Sequence, residues 1–244
     1  MNAWGMGLPQ RELQQLKADT AVIALAVQEA WNCASPRQLN AVLGFKSATR
    51  QRNGVALIAR YGFTGKEIYQ RVGAKYNSWL IGGAVCLNAD CSADLPVFST
   101  HWGGGNAEWP LQAQNVVSFL ATQPRPHVFM GDLNVFKIDT WNPRVPCTNT
   151  DRPGRSRAIS IVEGAGYLDA WKATQTGEGW TGMASRRRCG VPAGNLFKRI
   201  DYVYVKQLRV LRTTRFARAA PGEDSPSDHA GLIAELALPP SSTR

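Results

Sequence analysis

No apolar stretch in this chain is long. Its hydrophobic residues fall into short runs: AVIALAVQEAW (21–31), NGVALIAR (53–60), SWLIGGAVCL (78–87), DLPVFSTHW (94–102), PHVFMGDLNVF (126–136), RIDYVYV (199–205) and HAGLIAEL (229–236). Runs of this length, bounded by Asn, Gly, Pro and Asp, predict buried strands. The longest clean one, residues 21–27, is far short of the roughly 20 residues that a membrane-spanning helix needs. GYLDAWK (166–172) predicts a further strand. Helices are predicted over 10–18, over 110–122 behind Pro110, and over AISIVEGAG (158–166) with its glycine stop. Residues 137–160 are rich in Pro, Asn, Thr and Arg and predict loop. Many short strands with few helices, no repeat and no linker imply one α/β sandwich over residues 1–238 with a frayed tail at 239–244. The alternation is too irregular for a doubly wound sheet, and 244 residues are enough for one full core.

The net charge is +10, unevenly spread: 12 basic and 9 acidic residues in 1–140, against 16 and 9 in 141–244. A basic surface favours polyanionic partners, because neutralising phosphates releases counterions. A merely solvated surface gives the same excess, so charge supports a partner and does not decide one. The first twenty residues lack the basic start and continuous apolar centre of a signal peptide, so the expectation is a cytoplasmic protein, or a secreted one whose leader is absent. The chain is expected to act as a monomer.

Five cysteines (33, 86, 91, 147, 189) show no CxxC pair and no histidine at zinc-finger spacing, which argues against a structural zinc. Cys86 and Cys91 flank a turn and can close a hairpin disulfide, with Cys147 and Cys189 a second pair. Free buried thiols are the other reading.

Chemistry is concentrated where the apolar runs stop. Glu29, Asp132, Asn134, Asp201 and Asp228 each lie at or near a strand end, and of three histidines two, His101 and His229, follow such strands directly. Carboxylates beside a core are costly unless a cation neutralises them, so a converging set implies a metal or a paired base. Magnesium suits it, wanting oxygen ligands and keeping waters for chemistry. A relay among Ser227, Asp228 and His229 fails, because successive strand residues point to opposite faces. His127, at a strand start, reads as structural.

In this order, QE (28–29), TH (100–101), GDLN (131–134), RIDYV (199–203) and SDH (227–229) resemble the signature blocks of the endonuclease/exonuclease/phosphatase superfamily, and NAWGMGLP (2–9) resembles its first block. The superfamily includes pancreatic-type deoxyribonuclease, apurinic endonucleases, sphingomyelinases and inositol polyphosphate phosphatases. The resemblance implies a four-layer α/β/β/α sandwich of two packed mixed sheets flanked by helices, with the site at one end. It implies that Glu29 is the principal Mg2+ ligand, with Mn2+ a possible substitute, helped by Asn2 and Asp228. Asp201 would orient His229, the general base. Asp132 and Asn134 would position nucleophile and phosphoryl oxygens, and His101 would hydrogen-bond the phosphate or assist the leaving group.

Two departures accompany the resemblance. The strand expected before Asn2 is missing, and Trp109 stands where many relatives place a phosphate-binding arginine, so the phosphate grip is expected from Arg186, Arg187 or Arg188. The expected function is Mg2+-dependent phosphodiester hydrolysis by an endonuclease-like enzyme. The basic second half and Trp31, Trp102 and Trp180, placed to stack on bases, favour nucleic acid. A sphingomyelinase-like phospholipid phosphodiesterase is the alternative, from the NAWGMGLP opening and from Trp102 and Trp109, which could enter an anionic membrane interface. An inactive binding module of the same fold is the third reading.

Overall fold

The structure, a computed structural model, describes residues 10–30, 35–105, 107–124, 126–136, 157–177, 179–183, 196–216 and 229–238. In chain order these form α1 (Gln10–Ala18), β1 (Ala24–Val27), α2 (Pro36–Leu43), β2 (Ser47–Ala48), β3 (Ala56–Ala59), β4 (Phe63–Arg71), β5 (Trp79–Cys86), β6 (Asp94–His101), α3 (Trp109–Leu120) and β7 (His127–Asp132). There follow α4 (Arg157–Gly164), β8 (Leu168–Asp169), α5 (Ala170–Thr174), β9 (Gly182–Met183), β10 (Leu196–Lys198), β11 (Asp201–Lys206), β12 (Arg209–Phe216) and β13 (Gly231–Ala237).

Six of the described strands make the central sheet, in the order β4-β5-β6-β7-β11-β8, antiparallel except for the parallel β6–β7 pair. The parallel pair brings the backbones close. At Gly131, with φ 151°, a Cβ would stand 1.8 Å from the Thr100 carbonyl oxygen, so only glycine fits there. One face of this sheet packs Phe98, Phe129, Tyr202 and Tyr204 against Val116 and Leu120 of α3 and Ile159 and Val162 of α4. The other face packs Val85, Val97, Val128 and Val203 against Ala26, Leu57 and Ala59 of the β1-β3-β2 sheet and against Leu232 and Ala234 of the β12–β13 pair. The outer face of that second layer is covered by Leu13 and Leu16 of α1 and Leu39 and Leu43 of α2. The result is the expected α/β/β/α sandwich; the described strands of the second layer pair antiparallel.

Local chemistry accounts for the helix ends. Ser35 caps α2 in a reciprocal box with Gln38, Pro36 occupies the first turn, and Gly44 closes the helix in the left-handed region. The stretch predicted as a strand over 166–172 is a correction: only Leu168 and Asp169 pair, and the Asp169 carboxylate then accepts the Trp171 and Lys172 N–H groups and starts α5. His127 is fully buried, with its ring nitrogens on Pro124 O (3.0 Å) and Tyr167 Oη (2.8 Å), a structural role as expected. Cys86 and Cys91 form a disulfide across the turn between β5 and β6. Cys33, Cys147 and Cys189 lie outside the described residues.

Candidate active site

Cross-strand register builds the site. His101 at the end of β6 is level with Asp132 at the end of β7, and Asp132 is level with Asp201 at the start of β11. Residues level across a sheet point to one face, so all three side chains enter the layer between the sheets at the same end. Glu29 reaches the same place from the second layer, two residues past β1. Its Oε1 is 3.6 Å from His101 Nε2, and Asp132 Oδ2 is 3.5 Å from that nitrogen.

Two of these positions carry unusual backbone. Glu29 and Asn134 have φ of 55° and 54°, in the left-handed region that costs a residue with a side chain on the order of 1 kcal/mol. Such a bend just past a strand end turns the chain aside at once and aims the side chain back across the sheet end. At Asn134 the bend is fixed by its N–H on Asp132 Oδ1 (2.7 Å) and by its amide, which donates to Trp102 O (2.8 Å) and lies 3.1 Å from His101 Nε2.

His229 arrives from the start of the last strand. It is bridged to Gly182, and the next N–H, of Ala230, donates to Thr181 O at 2.7 Å. Thr181 Oγ1 in turn accepts the N–H groups of Ile200 and Asp201. One buried threonine therefore ties together the backbones that carry His229 and Asp201. The side chains meet: His229 Nδ1 is 2.8 Å from Asp201 Oδ2, and the pair is nearly excluded from solvent. A carboxylate accepting from Nδ1–H leaves Nε2 as the proton acceptor, and that nitrogen lies 3.9 Å from Asp132 Oδ2.

The two central carboxyls are pushed in opposite directions. Burial, with the nearby Asp201 charge, holds Asp132 above its ordinary value against the pull of His229 and His101. Burial acts on Asp201 too, but the His229 charge, the His229 hydrogen bond and the Thr181 hydroxyl outweigh it and hold Asp201 below its ordinary value. The donor atoms fall into two groups, Glu29/His101/Asp132 and Asp132/Asp201/His229, each with its atoms within 4.8 Å of one another. Glu29 and Asp132 offer the carboxylate oxygens that Mg2+ or Mn2+ prefers, and a cation would relieve the burial cost of Asp132.

A profile of the endonuclease/exonuclease/phosphatase family matches residues 10–229. The chain belongs to this family. Members of the endonuclease/exonuclease/phosphatase family are typically phosphodiesterases or nucleases. Comparison with curated proteins gives no match. Among solved structures, a 3′-5′ exonuclease (NExo) from Neisseria meningitidis has a TM-score of 0.69 at 16% identity, over 93% of this chain and 94% of that one. TDP2 from D. rerio, solved with a single-strand DNA product, has a TM-score of 0.66 at 14% identity, over 94% and 91%. A family protein from Beutenbergia cavernae has a TM-score of 0.65 at 16% identity, over 94% of this chain but 66% of that one.

Of the residues expected at the site, Glu29, His101, Asp132, Asn134, Asp201 and His229 come together. Asn2, Asp228, Trp31, Arg186, Arg187 and Arg188 lie outside the described residues. Trp102 is a correction. It follows His101 on the chain and so points to the opposite face, where it is fully buried among the residues beneath α3 and cannot stack on a substrate or enter a membrane. Trp109 also packs, partly buried, against that core, and Trp180 packs on Ala230. Two contributors were missed. Thr181 looks like any loop threonine in the sequence. Arg199, 1% exposed, places Nη1 2.8 and 2.7 Å from the two oxygens of Asp169 and its guanidinium 4.7 Å from the Tyr202 ring, bracing the start of β11; an arginine at the head of an apolar run was the available signal.

Proposed function

We propose that the chain is a magnesium-dependent phosphodiester hydrolase of nuclease type, in which His229, oriented by Asp201, takes the proton of the attacking water. The 2.8 Å contact between His229 Nδ1 and Asp201 Oδ2 carries this reading, because it fixes the ring and turns Nε2 into an acidic, metal-competent cluster. Asp132 and Asn134 position the nucleophile and the phosphoryl oxygens. His101 hydrogen-bonds the phosphate or assists the leaving group. Glu29 is the principal residue assigned to hold the cation, and Asn2 and Asp228 are assigned with it from the family motif. When bound, Mg2+ supplies positive charge where negative charge develops on the phosphoryl oxygens.

Nucleic acid is the favoured substrate. The basic excess supports it, and two fold neighbours are themselves a 3′-5′ exonuclease and a protein solved with single-strand DNA product. Burial of Trp102 takes one support from the phospholipid alternative and from base stacking alike, Trp109 packs partly buried against the core, and the NAWGMGLP opening of the alternative lies outside the described residues.

The test is turnover of plasmid DNA, a single-stranded oligonucleotide and sphingomyelin vesicles side by side, with Mg2+ and with chelator. Nucleic acid cleavage that needs the metal, weakens steeply with salt and drops by about 10²-fold or more in His229→Ala is expected. Absence of turnover on every phosphodiester with Mg2+ or Mn2+ would overturn the hydrolase assignment. Preference for sphingomyelin would overturn the nuclease assignment.

A further inference from the structure

The row of level residues that carries the site does not stop at His101. One step beyond the Leu80↔Thr100 pair, the antiparallel register sets Trp79 of β5 beside His101, and Arg71 of β4 is paired with Trp79. Arg71, Trp79, His101, Asp132 and Asp201 thus form one line across five strands, all facing the same way. At about 4.8 Å per strand, Trp79 stands one spacing and Arg71 two spacings from the His101 position. Tyr69, two residues before Arg71, shares that face.

A cation from the second layer closes over these rings. The Arg52 guanidinium lies 5.5 Å from the Tyr69 ring centroid and 5.9 Å from that of Trp79. Its loop is held at the site, because Arg52 pairs with Val55 and the adjoining Gly54 carbonyl accepts the Ala30 N–H next to Glu29. Tyr69 is pinned by its hydroxyl on Glu67 and by the Arg50 N–H (2.9 Å). Burial and the Glu67 bond push it up to about 12, so it stays a neutral phenol. Arg52 and Arg71 are exposed and Trp79 is half-buried. The β4–β5 loop extends the surface with Tyr76, 50% exposed and resting on Gly104, three residues past His101.

We infer that Arg52, Tyr69, Arg71 and Trp79 form a platform for the nucleotide flanking the scissile phosphate on the β4–β5 side, stacking its base and gripping its phosphate. The inference rests on the nuclease reading and adds the side on which the strand runs. Stacked guanidinium and aromatic planes accept any base, and two exposed arginines suit a phosphate, so single-stranded nucleic acid is the matching ligand. Such a platform also supplies charge that Trp109 does not.

The experiment uses the whole chain and a fluorescein-labelled single-stranded DNA oligonucleotide. Anisotropy in EDTA reads binding without turnover, and kcat and KM with Mg2+ are then measured on the same oligonucleotide and on bis(p-nitrophenyl) phosphate, which has no flanking nucleotide. Arg52→Ala and Trp79→Ala should each weaken oligonucleotide binding by about ten-fold, with the rise in KM on DNA exceeding that on the small diester by a similar factor. Arg71→Ala should lower the salt slope of binding by about one. Arg52 lies on an exposed loop, so its variant reports even if Trp79→Ala fails to fold, and Trp79→Phe should restore most of the affinity. Wild-type oligonucleotide affinity in Arg52→Ala and Arg71→Ala would overturn the platform, as would binding of anionic vesicles in place of DNA through these residues. A chain that binds DNA here but cleaves nothing would sink the hydrolase reading alone.

Discussion

Arg199→Met tests how the start of β11 is held. Arg199 and Asp169 are 1% and 3% exposed, and Nη1 reaches both carboxylate oxygens, so methionine fills much of the volume but leaves Asp169 a buried charge without its cation. Breaking a buried pair from one side costs about 3–5 kcal/mol. Two features pull toward the lower end. Asp169 keeps the Trp171 and Lys172 N–H groups, at 3.0 and 3.5 Å, and Arg199 Nε has no hydrogen-bond partner among the described residues, so its desolvation is recovered. About 3 kcal/mol is expected, which for a chain of this size lowers Tm by about 6–12 °C. Urea titration followed by tryptophan fluorescence measures it, with an unchanged m-value required for the comparison. Asp169→Asn removes the charge and keeps a capping oxygen, so the double variant should recover about 1–2 kcal/mol relative to the sum of the singles. A loss under about 1 kcal/mol in Arg199→Met, or strict additivity in the double, would refute the argument that this pair braces the strand.

Three further outcomes follow from the site. Asp201→Asn should cut kcat with Mg2+ affinity largely kept, whereas Glu29→Gln should weaken Mg2+ binding first, read by isothermal titration and kinetics; the reverse pattern would mean the roles are exchanged. Asp132 is raised, so its protonation favours the fold and that contribution is lost as pH rises through its elevated value; Asp132→Asn should therefore raise Tm in EDTA at neutral pH and lose the advantage in acid, while abolishing activity. Asp201 is depressed, so its contribution is present above the ordinary carboxyl range and lost as pH falls through its lowered value, and Asp201→Asn should lower Tm at neutral pH; equal pH profiles for the two variants would refute the contrast. Thr181→Val keeps the shape but strands two buried N–H groups, a cost of about 1–3 kcal/mol each, and should lower kcat more than it changes KM; unchanged kcat would remove Thr181 from the dyad's support.

The core strands were legible because burial on both faces leaves a continuous apolar run, as in ALIA of β3 or HVFMGD of β7. The strands FTGKEIYQR and RVLRTTRF were not, because only part of each is covered and charged residues occupy the rest. The helix α2 was not predicted, although its Ser-Pro-x-Gln opening was an available start signal. Glu29, His101, Asp132, Asn134, Asp201 and His229 could be picked out as strand-end polar residues and ordered by the family blocks. That they are neighbours depends on register between strands far apart in the chain, as where Asp132 of β7 is level with Asp201 of β11, which no local pattern encodes. The error at Trp102 was avoidable: the alternation that excluded a Ser227-Asp228-His229 relay also sends the residue after His101 to the other face.

The line from Arg71 to Asp201 gives the fold an asymmetric tolerance to change in length. Each strand contributes a single residue to that line, so inserting or deleting one residue inside β4, β5, β6 or β7 would rotate its contribution into the packed layer beneath α3 and α4 and bring a core side chain out. A loop such as the one closed by Cys86 and Cys91 can lengthen without moving any member of the line. Single-residue insertions scanned along β6 and along that loop should therefore separate into inactive and active sets at the strand boundary.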